Sequence, residues 1–283
     1  MILRRHLDLA RQALAHNTAG ALEAEILLAH ALESPRSFLY AHPDMVLPPE
    51  RAERFHKYVE RRSNGEPIAY ITGSREFWSL ELHITPDVLI PRHETESLVE
   101  AALQKVPVDA CWRLADLGTG SGAVALALAR ERPECEIHAT DISPAATELA
   151  SCNAKRHSLM NVSIHCGSWC APLNGRFSLI VSNPPYVAAD DPHLDTGDCR
   201  FEPGLALTPG KDPMKSISEI CSQAPGRLEP NGCLILEHGA SQGEAVREIL
   251  AGHGFVHIET RKDLSGRERI SQGQWPGELN EST

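Results

Sequence analysis

Hydrophobic residues recur every three to four positions across the amino-terminal quarter of the chain. Leu3, Leu7 and Leu14 follow this spacing, a second apolar run follows a glycine, and a third amphipathic stretch follows Pro48-Pro49. Apolar positions at this spacing line one face of a helix. The pattern predicts a small helical bundle over residues 1–66, of the kind that often serves as a docking platform for a substrate or partner.

Apolar and polar positions change to a strand-like order after this bundle. Ile68–Thr72 is one strand-like run and residues 76–84 are another, with Gly73-Ser74 between them. Two such runs joined by a short turn are typical of a β-hairpin. We therefore predict a β-hairpin linker over residues 67–92, with Ile68–Thr72 as its first strand.

Short apolar runs and helix-like segments alternate through the rest of the chain. The strand-like segments lie near residues 112–117, 135–140, 161–166, 177–182, 232–238, 254–260 and 267–272. The helix-like segments lie near residues 95–103, 121–131, 144–158, 213–228 and 241–252. Such alternation is typical of a mainly parallel sheet that helices cover on both faces. We predict an α/β domain over residues 93–275, followed by a disordered polar tail at 276–283.

The formal net charge of −11 lies outside the helical part of the chain. Residues 1–73 carry nine basic and nine acidic side chains, whereas the rest of the chain carries 18 basic and 29 acidic ones. Proteins that grip a nucleic-acid backbone usually present clustered basic residues. The charge therefore argues against DNA as a partner.

The eight cysteines include no Cys-x-x-Cys pair, and no second pair of ligands completes a tetrahedral metal site with Cys166 and Cys170. We interpret the cysteines as small buried hydrophobic residues in a reducing compartment, and we expect no metal. No apolar run approaches the ~20 residues that span a bilayer, and the amino terminus lacks the order of a secretory signal. The sequence predicts a cytoplasmic protein that makes no membrane contact.

A glycine-rich turn lies between the first predicted strand of the α/β domain and the helix after it. Gly118, Gly120 and Gly122 permit positive φ and a close approach of the backbone to a ligand. Asp141 ends the next predicted strand, where a carboxylate can accept hydrogen bonds from ribose hydroxyls. Gly118, Gly120 and Ala123 also match the looser dinucleotide pattern, so the turn alone does not distinguish S-adenosylmethionine from NAD.

A second motif, Asn183-Pro184-Pro185-Tyr186, follows the fourth predicted strand. In a parallel α/β sheet it lies at the same edge as the glycine turn. The prolines remove N–H donors, which leaves the Asn183 side-chain oxygen and the Pro184 carbonyl as acceptors, and Tyr186 supplies a flat face. Two acceptors can hold the N–H bonds of an amide or aromatic amine and orient its nitrogen toward an electrophilic methyl group. S-adenosylmethionine is the methyl donor that this arrangement indicates.

The sequence resembles the HemK/PrmC release-factor glutamine methyltransferases along nearly its whole length. The shared segments are residues 65–73, Phe77, 86–92, the glycine turn, Asn183 to Tyr186, 200–203 and 237–239. Asn-Pro-Pro-Tyr alone also occurs in adenine-N6 DNA methyltransferases. The resemblance implies an α/β fold with a seven-stranded Rossmann-like class I methyltransferase domain, a small amino-terminal helical-bundle domain and a β-hairpin linker.

The resemblance also implies an activity and the residues that carry it. The activity is methyl transfer from S-adenosylmethionine to the side-chain amide nitrogen (N5) of the glutamine in the Gly-Gly-Gln motif of peptide chain release factors, which affects translation termination. The implied cofactor-binding residues are Gly118, Thr119, Gly120, Ser121, Gly122, Asp141, Trp169 and Asn183. The implied substrate-binding residues are Asn183, Pro184, Pro185 and Tyr186, of which Asn183, Pro184 and Tyr186 are the catalytic ones. We expect the enzyme to act as a monomer.

Four other functions fit parts of the sequence. A ribosomal-protein glutamine methyltransferase would share the whole site. An adenine-N6 DNA methyltransferase would share Asn183 to Tyr186 but needs a basic cleft, and an NAD-dependent oxidoreductase would share the glycine turn alone. A non-catalytic release-factor-binding protein would need no intact acceptors. His93 stands where the resemblance leads us to expect a proline, and we interpret it as a loop histidine that faces solvent.

Overall fold

Five helices form the amino-terminal unit of the computed structural model, which describes residues 1–263 and 265–277. This unit spans Met1–Ser74. Its helices are α1 (Leu3–Ala13), α2 (Gly20–Leu32), α3 (Arg36–Ala41), α4 (Pro49–Ser63) and α5 (Ile68–Thr72). Leu7, Leu27 and Phe55 lie in its apolar core, because helical spacing places them on inward faces. The predicted helical bundle is confirmed.

The prediction of a strand at Ile68–Thr72 is wrong, because this segment is the helix α5. The Pro67 carbonyl accepts hydrogen bonds from the backbone N–H groups of Tyr70 and Ile71 at 3.0 and 3.1 Å, and Gly73, with φ 71°, ends the turn. A run of five apolar and β-branched residues fits a buried helix as well as a strand, and periodicity alone does not separate them. Since α5 packs against α2 and α4, the helical unit continues to Ser74.

The hairpin itself is shorter than the predicted linker. It consists of β1 (Ser74–Phe77) and β2 (Leu80–His83), so both strands come from the region of the second strand-like run. Trp78 and Ser79 form the turn with φ of 52° and 57°. Two consecutive residues with positive φ match the twist of a two-residue hairpin, although neither is a glycine or asparagine.

Seven strands form the sheet of the second unit, which begins at Arg75. They are β3 (Arg113–Leu117), β4 (Glu136–Asp141), β5 (Val162–Cys166), β6 (Phe177–Ser182), β7 (Leu228–Glu237), β8 (Val256–Lys262) and β9 (Glu268–Gln274). Their order is β5-β4-β3-β6-β7-β9-β8, and β9 runs antiparallel to the other six strands. The prediction of a mainly parallel, seven-stranded α/β sheet is confirmed.

Helices cover both faces of this sheet. They are α6 (Glu96–Lys105), α7 (Ala123–Glu131), α8 (Pro144–Arg156), α10 (Lys215–Gln223) and α11 (Gly243–Gly252), and the short helix α9 (Gly204–Leu207) precedes α10 in the chain. Ala115 and Leu117 of β3 pack in one cluster with residues of α10 and α11. Asp116 lies between them in sequence and contacts the start of α7. Because side chains alternate along a strand, α7 covers the face opposite α10 and α11.

The cysteines only partly follow the prediction that they are buried. All eight are free thiols; Cys135, Cys170 and Cys221 are buried, whereas Cys111 and Cys166 are among three that are exposed. Burial raises the pKa of Cys170 to about 11, so this thiol stays protonated at neutral pH. In the described ranges there is no cluster of three or more His, Cys, Asp or Glu residues suited to a metal ion.

Helices in the part of the chain that the structure describes are too short or too polar to cross a bilayer. At the carboxyl terminus, β9 ends at Gln274. The predicted disordered tail at 276–283 falls mostly on residues 278–283, which lie outside the described residues.

Candidate active site

The two sequence motifs meet at the point where the strand order reverses. From β3 the chain proceeds outward to β4 and β5, and then returns to place β6 on the other side of β3. In an open α/β sheet, ligands bind at this point beyond the carboxyl ends of the strands. The glycine turn follows β3 and Asn183 follows β6, and the Ser182 hydroxyl donates to the Leu117 carbonyl at 2.7 Å. The predicted juxtaposition of the two motifs is therefore observed.

Two cavities adjoin at this edge of the sheet, with volumes of about 540 and 490 Å³. The residues that line both are Gly118, Asp141, Ile142, Pro185 and Leu205. Ile142 and Leu205 are 58% and 72% exposed, which is unusual for large apolar side chains. Cavities of this size and apolar character are typical of small-molecule and cofactor sites.

The glycine turn leaves open space beside Gly120. This residue has φ 56°, and a Cβ atom at its position would meet no atom within 4 Å, so its free side faces the open cavity rather than the core. At Gly122, by contrast, a Cβ atom would lie 3.3 Å from the Ala150 side chain. Gly120 therefore lets a ligand approach the backbone, whereas Gly122 permits close packing against α8 and lines none of the cavities described here.

Thr119 and Ser121 stabilise the glycine turn through hydrogen bonds to buried residues. The Thr119 hydroxyl donates to Asp116 Oδ2 at 2.7 Å, and the same oxygen accepts from the Ala125 N–H group at 3.1 Å. Burial raises the pKa of Asp116 to about 6. The Ser121 carbonyl accepts from Asn153 Nδ2 at 2.9 Å. Thr119 and Ser121 line a recess of about 50 Å³ but neither of the two larger cavities.

Asp141 ends β4 at the mouth of both cavities. Its Oδ2 atom accepts from the Gly120 N–H group at 2.9 Å, and its Oδ1 atom accepts from the Ser143 N–H group at 2.9 Å. These bonds fix the carboxylate and link it to the glycine turn. A carboxylate has about four acceptor positions, so each oxygen can still accept a hydrogen bond from a diol in the cavity.

Trp169 forms part of the wall of the larger cavity. It has φ 46°, and its ring lies close enough to Gly118 that a Cβ atom there would be 3.3 Å from Cζ3. Its Nε1–H group donates to Glu219 Oε2 at 2.9 Å, and Glu219 lies on α10 and lines the same cavity. This hydrogen bond fixes the orientation of the Trp169 ring in the wall of the cavity.

Asn183 and Pro184 present two acceptors at the end of β6. Asn183 lines the second cavity and the small recess, and its Nδ2 atom donates to the Thr95 hydroxyl at 3.1 Å. Within residues 1–263 and 265–277, no donor reaches Asn183 Oδ1 or the Pro184 carbonyl oxygen. Asn183 lines a cavity that a ligand can enter, whereas Pro184 is buried and lines none of the cavities described here, so its carbonyl is an unpaired acceptor behind Asn183 and Pro185 in the wall.

Tyr186 lies further from the cavities than the sequence suggests. It is not among the residues that line the two larger cavities, whereas Pro185 lines both. The Tyr186 hydroxyl donates to Glu237 Oε1 at 3.3 Å, and its carbonyl accepts from Gln242 Nε2 at 2.9 Å. Burial raises the pKa of Tyr186, so the phenol stays protonated and can serve as a donor.

A buried carboxylate joins the segment just before α9 to the loop at residues 90–92. Glu202 Oε1 accepts from the Ile90 N–H group at 2.9 Å, and Glu202 Oε2 forms an ion pair with Arg92. The side chain of Glu202 has no exposed area, and burial raises its pKa. The neighbouring His93 is exposed, as predicted, and its Nδ1 atom lies 3.9 Å from Glu96 Oε1.

Three residues of this site were missed as functional residues by the sequence analysis: Thr95, Glu219 and Glu237. The position of Glu237 did indicate a functional residue, because an acidic side chain at the end of an apolar strand is unusual outside a functional site. Thr95 follows the shared segment 86–92 by three residues, but nothing local indicates its partner. Glu219 lies on an amphipathic helix and looks like an ordinary surface residue.

Comparison with known proteins agrees with this geometry. Residues 6–73 match the family model of the PrmC N-terminal domain, and residues 95–200 match that of the methyltransferase small domain. The chain is 48% identical to the release factor glutamine methyltransferase of Xylella fastidiosa, over 90% of this chain and 94% of that protein. It is 49% identical to the protein of the same name from Pseudomonas aeruginosa, over 91% and 93% of the two chains.

Solved structures share the fold at lower sequence identity. A methyltransferase from Pyrococcus furiosus superposes with a TM-score of 0.54 at 18% identity, and the match covers 77% of this chain and 97% of that one. Such a likeness supports the class I methyltransferase fold and no finer assignment. The two domain matches, and the relatives that align over about nine tenths of the chain, support an assignment to a family and not only to a fold. The chain belongs to the release factor glutamine methyltransferase family.

Proposed function

We propose that this protein transfers a methyl group from S-adenosylmethionine to the side-chain amide nitrogen of the glutamine in the Gly-Gly-Gln motif of peptide chain release factors. One observation carries the proposal: Asn183 lines a cofactor-sized cavity, and no donor within the described residues reaches its Oδ1 atom or the carbonyl oxygen of the adjacent Pro184. A primary amide has two N–H bonds, which matches this pair of acceptors. The family membership of the chain supports the same substrate.

The residues around the larger cavity suit S-adenosylmethionine. Asp141 offers acceptors for the ribose hydroxyls, Trp169 offers an apolar ring for the adenine, and Gly120 leaves space beside the backbone. When bound, this cofactor supplies an electrophilic methyl group on a sulfonium. Arg92 lines the recess beside Asn183, and its ion pair with the buried Glu202 offsets its charge.

The chain contributes to the reaction mainly by positioning. An amide nitrogen is a weak nucleophile because its lone pair is delocalised. Asn183 Oδ1 and the Pro184 carbonyl would hold both N–H bonds and so fix the direction of the nitrogen, and pre-organisation of this kind can supply several kcal/mol, about 7–11 in well-oriented model reactions. The two acceptor dipoles also favour the positive charge that develops on the nitrogen. The proton then leaves the methylated amide for solvent.

The proposal extends to the partner. The helical unit, residues 1–74, would bind the body of the release factor, because a glutamine side chain alone offers far less surface than a specific protein interface. The acidic excess after residue 73 disfavours DNA as a substrate. All of the proposed site residues come from one chain, so a monomer suffices for the reaction. Since release factors act at the ribosome, we propose a cytoplasmic location.

The experiment that tests the proposal is a methyl-transfer assay with labelled S-adenosylmethionine. The substrates are a purified release factor, its Gly-Gly-Gln→Gly-Gly-Ala variant, a short Gly-Gly-Gln peptide, ribosomal protein and duplex DNA. We expect label on the intact release factor, none on the alanine variant and a much higher KM for the peptide. Label on ribosomal protein or DNA instead would contradict the proposed substrate, and a peptide as good as the whole factor would contradict docking by the helical unit.

A further inference from the structure

A buried hydroxyl holds the donor end of the Asn183 amide. Thr95 ends the 3₁₀ turn His93–Thr95 directly before α6, and it is 4% exposed. Asn183 Nδ2 donates to Thr95 Oγ1 at 3.1 Å, across 88 residues of sequence. Because an amide has one donor end and one acceptor end, a contact that fixes the donor end also fixes the direction of the oxygen.

The carboxyl group of Glu237 lies behind this contact. Glu237 ends β7 and is 2% exposed, and its Oε1 atom accepts from the Tyr186 hydroxyl at 3.3 Å, whereas no donor within residues 1–263 and 265–277 reaches its Oε2 atom. Burial raises the pKa of Glu237 to about 7, and the nearby Thr95 and Tyr186 hydroxyls oppose this rise because they favour the carboxylate. A hydroxyl has a single hydrogen, so a Thr95 hydroxyl that directs its hydrogen toward the carboxylate offers its lone pairs to Asn183.

The orientation of the Asn183 amide decides how many acceptors the site has. Rotation of an asparagine amide by 180° exchanges its oxygen and nitrogen with almost no change in shape. A rotated Asn183 would present N–H groups to a substrate amide that must itself donate, and two donors do not bond. The site would then retain the Pro184 carbonyl as its single acceptor at this position.

We propose that Thr95 is a positioning residue for methyl transfer, and that its hydrogen bond with Asn183 keeps the Asn183 amide oxygen directed at the substrate nitrogen. This inference rests on the proposed function, because it assigns a role in the same reaction. Thr95 acts through Asn183 and not on the reacting atoms. Loss of its hydroxyl should therefore slow methyl transfer and leave cofactor binding intact.

The first test is the variant Thr95→Val, which removes the hydroxyl at nearly constant volume. We expect kcat for methylation of release factor to fall about ten- to hundredfold, because the Asn183 amide loses the partner that orients it. KM for S-adenosylmethionine should stay within about twofold of the wild-type value. Thr95→Ser keeps the hydroxyl, so its kcat should recover to within about threefold of wild type.

A matched control separates this effect from the loss of any threonine hydroxyl. Thr147→Val removes a hydroxyl that donates to the Pro144 carbonyl at 2.8 Å in the first turn of α8, and its kcat should equal that of the wild type. A Thr95→Val enzyme with wild-type kcat would overturn the proposal. So would a Thr95→Ser enzyme as slow as Thr95→Val with an equally lowered melting temperature, because Thr95 would then act by packing alone.

A second measurement tests the hydrogen bond of the Asn183 side-chain amide in the absence of substrate, by the rate at which its protons exchange with solvent. In protein labelled with ¹⁵N-asparagine, the side-chain signal of Asn183 is identified by its loss in Asn183→Ala. Its protons should exchange slowly with solvent in the wild type and much faster in Thr95→Val, and equal exchange in the two would overturn the role of the Thr95–Asn183 hydrogen bond. A wild-type enzyme that leaves release factor unlabelled would instead contradict the proposed function, while the exchange data would still decide the role of Thr95.

Discussion

Replacement of Asn183 by alanine is expected to lower kcat for methyl transfer to release factor by about 10²- to 10³-fold. The variant removes Asn183 Oδ1, one of two acceptors that fix the substrate nitrogen and stabilise its developing positive charge. Loss of a single pre-organised dipole of this kind typically costs about 10²–10³ in rate. Steady-state kinetics with saturating release factor measure the effect, and KM for S-adenosylmethionine should change by less than about fivefold.

Asn174→Ala is a suitable control for this variant. Asn174 is exposed, and its contact is made by its backbone carbonyl, which accepts from Arg113 at 3.0 Å. Its removal should therefore leave kcat unchanged. An Asn183→Ala enzyme that keeps more than about a tenth of wild-type activity would contradict the role of Asn183 as an acceptor.

The second large effect is expected on cofactor binding. Asp141→Ala should weaken the affinity for S-adenosylhomocysteine, the demethylated cofactor, by at least about 100-fold, measured by isothermal titration calorimetry. Hydrogen bonds to charged groups contribute about 1.5–3 kcal/mol each, and the variant removes the acceptors proposed for two ribose hydroxyls. It also removes the partners of the Gly120 and Ser143 N–H groups, so the glycine turn loses part of its support.

Asp109→Ala controls for the general loss of a carboxylate, because Asp109 is exposed and lies outside the cavities described here. Its affinity for S-adenosylhomocysteine should match that of the wild type. If Asp141→Ala also bound with wild-type affinity, the cofactor would occupy a different part of the cleft from the one that we assign.

The sequence was sufficient to predict the sheet and the meeting of the two motifs. Strand and helix alternation is a repeated, local signal, and the rule that parallel strands end at one edge then brings Gly120 and Asn183 together. Asp141 was predictable for the same reason. Each of these residues directly follows or ends a strand, so local sequence alone indicates its position.

The parts that were not predictable depend on contacts between distant segments. Ile68–Thr72 became a helix because it packs against α2 and α4, and a five-residue apolar run does not reveal this preference. The partner of Asn183 lies 88 residues away, and that of Trp169 lies 50 residues away. The motif predicted that Tyr186 offers a flat face to the substrate, whereas Tyr186 lines neither of the two larger cavities and donates to the buried Glu237.

The number of acceptors at the end of β6 also limits the product. An unmodified glutamine amide can donate to both Asn183 Oδ1 and the Pro184 carbonyl, but after one transfer the nitrogen retains a single N–H bond. The methylated side chain leaves one acceptor without a partner, which weakens its binding by about 1–3 kcal/mol and favours release. A second transfer would begin from this poorly oriented state. Mass spectrometry of the modified release factor should therefore show one added methyl group even after prolonged reaction, and a dimethylated glutamine would contradict the two-acceptor arrangement.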